Sequence, residues 1–335
     1  MLPIKKFLAA LFLFCLPIAL SAEFTAEKPA NITMVVWRGC EDACRGFQNY
    51  FTNFGLPVNI KTIDVGKDKS KLPSIKEQII SEGPDLVITW GTSVSVAILG
   101  TYEKFGRESA LGAIPAVFMI VADPVGSKIV KSYEKTDRFK ITGVRNRVPE
   151  KTQLNLMFDY LHPKKLAVLY DPSELNSILN TEKLRKLATE MNYELIVYEY
   201  QSDEKGTVDK QQIPMALLEV KQAGADAIYV GSSSFNLVHQ DLFVDSATEL
   251  GLPVFSAYGK MVREAGAIMA VATSYYNVGK LAATQASDIL FEGAVPGAME
   301  VKSLDRFTLF INMKTARKVG IYPPLSVLKV ADIIQ

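Results

Sequence analysis

The chain has 335 residues, with 37 lysines and arginines against 36 aspartates and glutamates, a formal net charge of +1. That balance, with no basic patch, argues against nucleic acid as a partner. The chain is long enough for two domains, and the two histidines, His162 and His239, have no metal-ligand spacing to a cysteine or to each other.

Lys5 and Lys6 precede an apolar run over residues 7–20, broken only by Pro17, and Leu20-Ser21-Ala22 is a small-residue exit. Residues 1–22 read as a cleaved secretory signal; the run is shorter than the ~20 apolar residues of a spanning helix. Phe14 is too bulky to precede a lipid-attachment site at Cys15. Removal of Lys5 and Lys6 leaves a net charge near −1, and export without an anchor predicts a soluble protein of the bacterial periplasm.

Beyond a short polar leader, buried-strand runs alternate with helical stretches. Strand 32–37 leads to a helix over 41–54, with Ala43, Phe47, Tyr50, Phe51 and Phe54 on one face. Strand 58–64 follows, then a helix over 72–81 stopped by Gly83-Pro84. Strand 86–90, a helix over 93–105, and strands 116–121 and 141–144 complete the first set. The pattern restarts with helix 150–161, strand 166–170, helix 176–191, strand 194–200, helix 211–223 and strand 227–230. Helix 236–250, strand 254–256, a short helix over 261–265 and strand 268–272 finish the second set. Helix 275–291, strand 307–311 and helical segments over 315–319 and 326–334 close the chain. The reading is α/β: two doubly wound parallel-sheet lobes of roughly five strands each, joined by a hinge. In such sheets ligands bind beyond the carboxyl ends of the strands.

The loops at those ends supply the candidates. Gly91 permits a tight turn, and Thr92 or Ser93 either caps the next helix or leaves its free N–H groups to an anion. Asp123, before Pro124, accepts a ligand N–H or caps its own turn. Ser232 and Ser233 offer hydroxyls and backbone N–H groups, as does Ser274 at a further strand end. Trp37, Trp90, Tyr258 and Tyr275 are the aromatics placed to sandwich a flat ligand, or else pack the core. Arg38 and Arg145 stand ready for an anionic ligand. Cys40 and Cys44 sit four apart: within a regular helix their Cβ atoms lie ~5–6 Å apart, beyond the roughly 3.5–4.5 Å of a disulfide, so a bond requires Cys40 to precede the helix. No G-x-S-x-G elbow, P-loop, zinc ligand set or Ser/His or Cys/His pairing is visible, so no enzymatic activity and no cofactor are expected.

An ordered set of segments spans nearly all of the exported chain: WGTSVS from Trp90, IPAVFMIVADPVGS from Ile114, ITGVRNRVP from Ile141, LAVLYDPSELNS from Leu166 and FTLFINMKTARKVGIYPPLSVLKVAD from Phe307. Together they resemble the bacterial ABC-transporter substrate-binding family of the tryptophan/tyrosine type. The resemblance implies the type I periplasmic binding protein fold, with lobe one over 32–146 plus about 275–305 and lobe two over 147–273 plus about 306–335. It implies that the loop from Tyr170 faces the cleft, making Tyr170, Ser173, Asn176 and Ser177 contact candidates. It also implies a monomer that passes a small solute to an inner-membrane permease and its ATPase; the alternative output is signalling to a membrane kinase or cyclase. The implied ligand is an aromatic amino acid or another small heterocyclic or carboxylate solute. An amino acid's ammonium needs acidic partners, and the second-lobe strand ends carry Ser232–Ser234, Ala257 and Ser274. Asp123, Asp171 or Glu41 is left to supply the charge.

Overall fold

A computed structural model describes residues 24–204 and 206–335; the signal read over residues 1–22 lies outside them. The first set of elements is β1 (Ala30–Val36), α1 (Asp42–Phe54), β2 (Val58–Asp64), α2 (Leu72–Glu82), β3 (Leu86–Trp90), α3 (Thr92–Leu99), α4 (Tyr102–Phe105), β4 (Ala116–Val121) and β5 (Ile141–Arg145). These strands form one sheet in the order β2-β1-β3-β4-β5, parallel throughout. β3 and β4 are buried along their whole length, which explains their unbroken apolar runs: both faces of a parallel sheet are covered by helices.

The second set runs α5 (Glu150–Leu161), β6 (Lys165–Tyr170), α6 (Leu175–Met191), β7 (Glu194–Glu199), α7 (Gln212–Gln222), β8 (Ala227–Val230), α8 (Ser234–Val238), α9 (Gln240–Glu249), β9 (Val254–Ser256), α10 (Gly259–Arg263) and β10 (Met269–Ala272). Then come α11 (Tyr275–Phe291), β11 (Thr308–Asn312), α12 (Met313–Val319), α13 (Leu325–Leu328) and β12 (Asp332–Ile334). The second sheet has seven strands, ordered β12-β11-β10-β9-β8-β6-β7, against the roughly five read from the sequence. Residues 332–334 pair with β11 as a strand, where a closing helix was expected. β11 runs antiparallel to β10, because the chain reaches it from the first sheet's side instead of through a crossover helix.

That excursion is made by α11. Its buried face, Val278, Ala282, Ala283 and Ala286, joins the core of the first sheet together with Phe47 and Phe51 of α1. The stripe Ala43, Phe47, Phe51 of α1 has the spacing of one helix face, and full burial of each phenylalanine contributes about 1.5–3 kcal/mol. The segment after α11 stays with the first sheet as far as a parallel bridge between Val144 and Lys302. Three connections therefore cross between the sheets, each beside the space that separates them. No helix among the described residues is long and apolar enough to cross a membrane.

Two expected helices are broken. Gly100, at φ 70°, ends α3 before α4, and His239 separates α8 from α9. Cys40 and Cys44 are joined by a disulfide with a Cα–Cα distance of 5.1 Å. Cys40 precedes the helix, which begins at Asp42, so the geometric condition for the bond is met.

Candidate functional site

Strand order decides where the two sheets open. In the first, β2 and β3 lie on opposite sides of β1; in the second, β7 and β8 lie on opposite sides of β6. At each such reversal the following connections diverge to opposite faces and leave a crevice beyond the strand ends. The residues after β1 and β3 are Trp37, Arg38 and Gly91–Ser93; those after β6 and β8 are Asp171, Ser173, Glu174, Ser232 and Ser234. They face one another across a cleft of about 720 Å³.

Ten of the fifteen sequence candidates line this cleft: Trp37, Arg38, Trp90, Gly91, Thr92, Ser93, Ser173, Asn176, Ser232 and Tyr258. Tyr275 lines it as well. The remaining five lie outside its wall, each for a local reason. Asp123 accepts from the Gly126 amide (2.7 Å) and the Tyr133 hydroxyl (3.2 Å), closing its own turn. The preceding strand is irregular between Phe118 and Val121, with Ile120 at a left-handed φ of 57°, and it is Ile120 and Ala122 that reach the cleft. Tyr170 turns to the neighbouring strand and donates its hydroxyl to Glu199, its register partner. Ser177 is buried, its hydroxyl 2.7 Å from Glu174 Oε2 and 2.8 Å from the Ser232 carbonyl. Ser233 caps α8 by accepting from the Asn236 amide, and Ser274 caps α11 by accepting from that of Asn277. Arg145 stacks on Tyr133, 4.8 Å from the ring centroid, away from the cleft.

On the first-sheet wall, Gly91 takes φ 90° and ψ 158°, a combination restricted in practice to glycine. No side chain caps α3 there, so its first N–H groups, beside Thr92, Ser93 and Val94, open on the cleft and favour negative charge. Arg38 donates to Glu41 at 2.9 Å and covers the Trp90 ring at 4.9 Å. One face of Trp90 is thereby taken by the protein's own cation. The Cys40–Cys44 bond pins the loop that carries both Arg38 and Glu41.

The second-sheet wall brings two acids. Asp171 accepts from the Ser173 amide at 2.8 Å. Glu174 accepts from the Ser234 and Phe235 amides at 3.0 and 3.1 Å. Burial pushes the Glu174 carboxyl up to about 7, with the Ser177 hydroxyl opposing and the charge of Asp171 adding to the rise. The expected shortage of acids on this lobe is thus corrected: they come from the loop after β6, where Asp171 is among the acids the sequence offers and Glu174 is an addition. Arg147, Asn146, residues 67–70, Phe235 and His239 also line the cleft and were not anticipated. The one sequence signal for Glu174 or Arg147 is its place in a segment that carries the family resemblance, LAVLYDPSELNS for the first and ITGVRNRVP for the second. Across the cleft mouth Lys69 Nζ donates to the Ser173 carbonyl at 2.6 Å, holding the two walls together.

The Glu174 carboxyl gives the first prediction. Its folded-state value of about 7 lies above the ordinary 4.5, so between those values the folded state keeps a proton that the unfolded state has released. Stability therefore falls as pH rises through that window, by up to about 3 kcal/mol. Urea unfolding of ligand-free protein from pH 4.5 to 7.5 should show this slope in the wild type and a flatter one in Glu174→Gln. Parallel profiles would refute it.

The family model for the ABC transporter substrate binding protein matches residues 32–334, and the chain belongs to that family. A curated relative, the tyrosine-binding protein of Clostridioides difficile (strain R20291), is 26% identical over 264 residues, covering 77% of this chain and 70% of the relative. A Streptococcus pneumoniae ABC domain solved in complex with L-Trp superposes with a TM-score of 0.78 at 23% identity, covering 92% of this chain and all of that one. A conserved domain protein from Vibrio cholerae superposes at 0.79 with 23% identity over 92% of this chain and all of that one. The Thermotoga maritima leucine binding protein LivK matches at 0.61 with 14% identity over 87% of each chain. The fold is that of the type I periplasmic binding proteins, and the curated relative from Clostridioides difficile is a binding protein.

Proposed function

We propose that this protein is a periplasmic receptor for an aromatic amino acid of the tyrosine or tryptophan class, which it delivers to an ABC permease and its ATPase. The observation that carries this reading is the chemistry gathered in one cleft. An α-amino acid needs donors for its carboxylate, acceptors for its ammonium and a surface for its ring. The uncapped N-terminus of α3 and the guanidinium of Arg147 supply donors; Asp171 and Glu174 supply carboxylates; Trp37, Tyr258, Tyr275 and Phe235 supply rings. The tyrosine-binding relative and the neighbour bound to L-Trp support the same class. A ligand touching both walls stabilises the closed arrangement over an open one, and the closed form is what a permease distinguishes. No catalytic step is involved.

Titration calorimetry of the refolded, ligand-stripped protein tests the reading. L-tyrosine, L-tryptophan or L-phenylalanine should bind in the micromolar range or tighter, with leucine and ribose at least 100-fold weaker. Absence of binding by all three aromatics, with tight binding of a sugar or an uncharged heterocycle, would overturn it.

A further inference from the structure

Two buried arginines in this protein are used in opposite ways. Arg138, fully buried, spends all five N–H donors on main-chain carbonyls: Glu108 twice (2.9 and 2.6 Å), Ile129 (2.8 Å), Gly100 and Leu99 (3.2 Å each). It is a complete structural tie. Arg147 is also more than nine-tenths buried, at 6% exposure, yet it lines the cleft and is almost unemployed. Its Nη1 and Nη2 reach the Ala257 carbonyl and the Tyr258 hydroxyl only at 3.5 Å, the outer limit of a hydrogen bond. Its Nε has no partner in the protein. The groups that act on its charge are the hydroxyls of Tyr258, Tyr275 and Tyr229, and no carboxylate is among them.

A second buried donor points the same way. Trp90 Nε1, on the opposite wall, is also without a partner, and Trp90 lines the cleft too. A buried cation and a buried N–H without acceptors are costly to maintain, and a bound carboxylate relieves both, since it accepts at two oxygens and pairs with the guanidinium in a bidentate fork. The amides at the α3 N-terminus face the open cleft and can be hydrated in the empty protein, so their need for an acceptor is smaller.

The geometry points to Arg147, together with Trp90 Nε1 on the facing wall, as the seat of the ligand's carboxylate. Arg147 leans on the second sheet, its guanidinium 5.0 Å from the Tyr258 ring centroid, while Trp90 ends a strand of the first. A carboxylate held by both spans the two walls, which makes the acid group the part of the ligand that drives closure. This inference rests on the proposed reading of the cleft as the ligand site and names the chemical group that every ligand must carry.

The test compares L-tryptophan, indole-3-propionate (carboxylate without ammonium) and tryptamine (ammonium without carboxylate). Wild-type protein should bind both acids and bind tryptamine at least 100-fold more weakly than tryptophan. Arg147→Met should lose at least 100-fold for both acids and nothing for tryptamine; Arg147→Lys should recover part of the loss. Trp90→Phe, which removes the N–H and keeps a ring, should weaken the acids about 5- to 10-fold and spare tryptamine. Should Arg147→Met fail to fold by circular dichroism, the lysine and phenylalanine variants carry the comparison. Wild-type discrimination retained in Arg147→Met, or in both of the other variants, overturns the inference. If no aromatic amino acid binds, a thermal-shift panel of non-aromatic carboxylates separates the two failures. A carboxylate whose shift vanishes in Arg147→Met upholds the seat while the proposed ligand class falls; a protein that binds only cations or uncharged molecules sinks both.

Discussion

Gly279→Ala should destabilise the protein by more than about 3 kcal/mol, at or beyond the top of the range for overpacked cores. α1 and α11 cross with their backbones in contact. A Cβ placed on Gly279 would lie 1.9 Å from the Ala43 carbonyl oxygen, and one on Gly46 would lie 2.0 Å from that of Tyr276. The obstacle in each case is main chain, so no side-chain rotation relieves it. Nor can the helices part freely, because Phe47 and Phe51 of α1 and Val278 and Ala282 of α11 are all buried in the first sheet's core. Binding should suffer along with stability, since α11 begins at Tyr275 in the cleft wall. Urea unfolding at neutral pH measures the effect, with Lys280→Ala, one residue on and solvent-exposed, as a near-neutral control. Equal midpoints for Gly279→Ala and the control would show that the helix crossing is wrong.

Arg138→Met should cost about 3–5 kcal/mol, the loss of five hydrogen bonds from a charged donor together with buried carbonyls left without a partner. Methionine has similar length and no donors, so the buried carbonyls of Gly100 and Ile129 lose their side-chain partner at about 1–3 kcal/mol each, while that of Leu99 keeps the Ala110 amide at 3.0 Å and that of Glu108 lies on an exposed residue. Relaxation toward water brings the total below the simple sum. Leu99 and Gly100 stand at the C-terminal end of α3, where a cation also complements the helix dipole. Arg138 thus steadies from behind the helix whose front end faces the cleft. Arg138→Lys should restore less than half of the loss, because an ammonium offers three donors from one atom where the guanidinium offers five from a planar fork. Chemical denaturation of both variants is the measurement; a methionine variant within about 1 kcal/mol of wild type would contradict the five-bond arrangement.

The elements themselves were legible because their signals are local. Unbroken apolar runs in β3 and β4, the stripe along α1 and the Gly83-Pro84 stop depend only on neighbours in the chain. Strand-end loops were equally visible, and ten of the fifteen site candidates stand in the cleft. Asp123 and Tyr170 looked no different from Ser93 or Ser173, since a polar residue after a strand reads the same whether it faces a crevice or closes its own turn. The three-residue strand at 332–334 reads as helix in the sequence because its only evidence is its partner, β11.

By itself the amino-acid order determined an α/β protein of alternating buried strands and helices, with its chemistry in the loops that end the strands and a family resemblance written in those same loops. Only the tertiary structure decided which loops share a cleft, because that depends on strand order and on where the chain crosses between sheets. Arg138 and Arg147 show the physical reason most plainly. The two residues are nine positions apart and chemically identical. What distinguishes a structural tie from a ligand's anchor is the number of acceptors that distant segments place around each guanidinium, and that number exists only once the chain has folded.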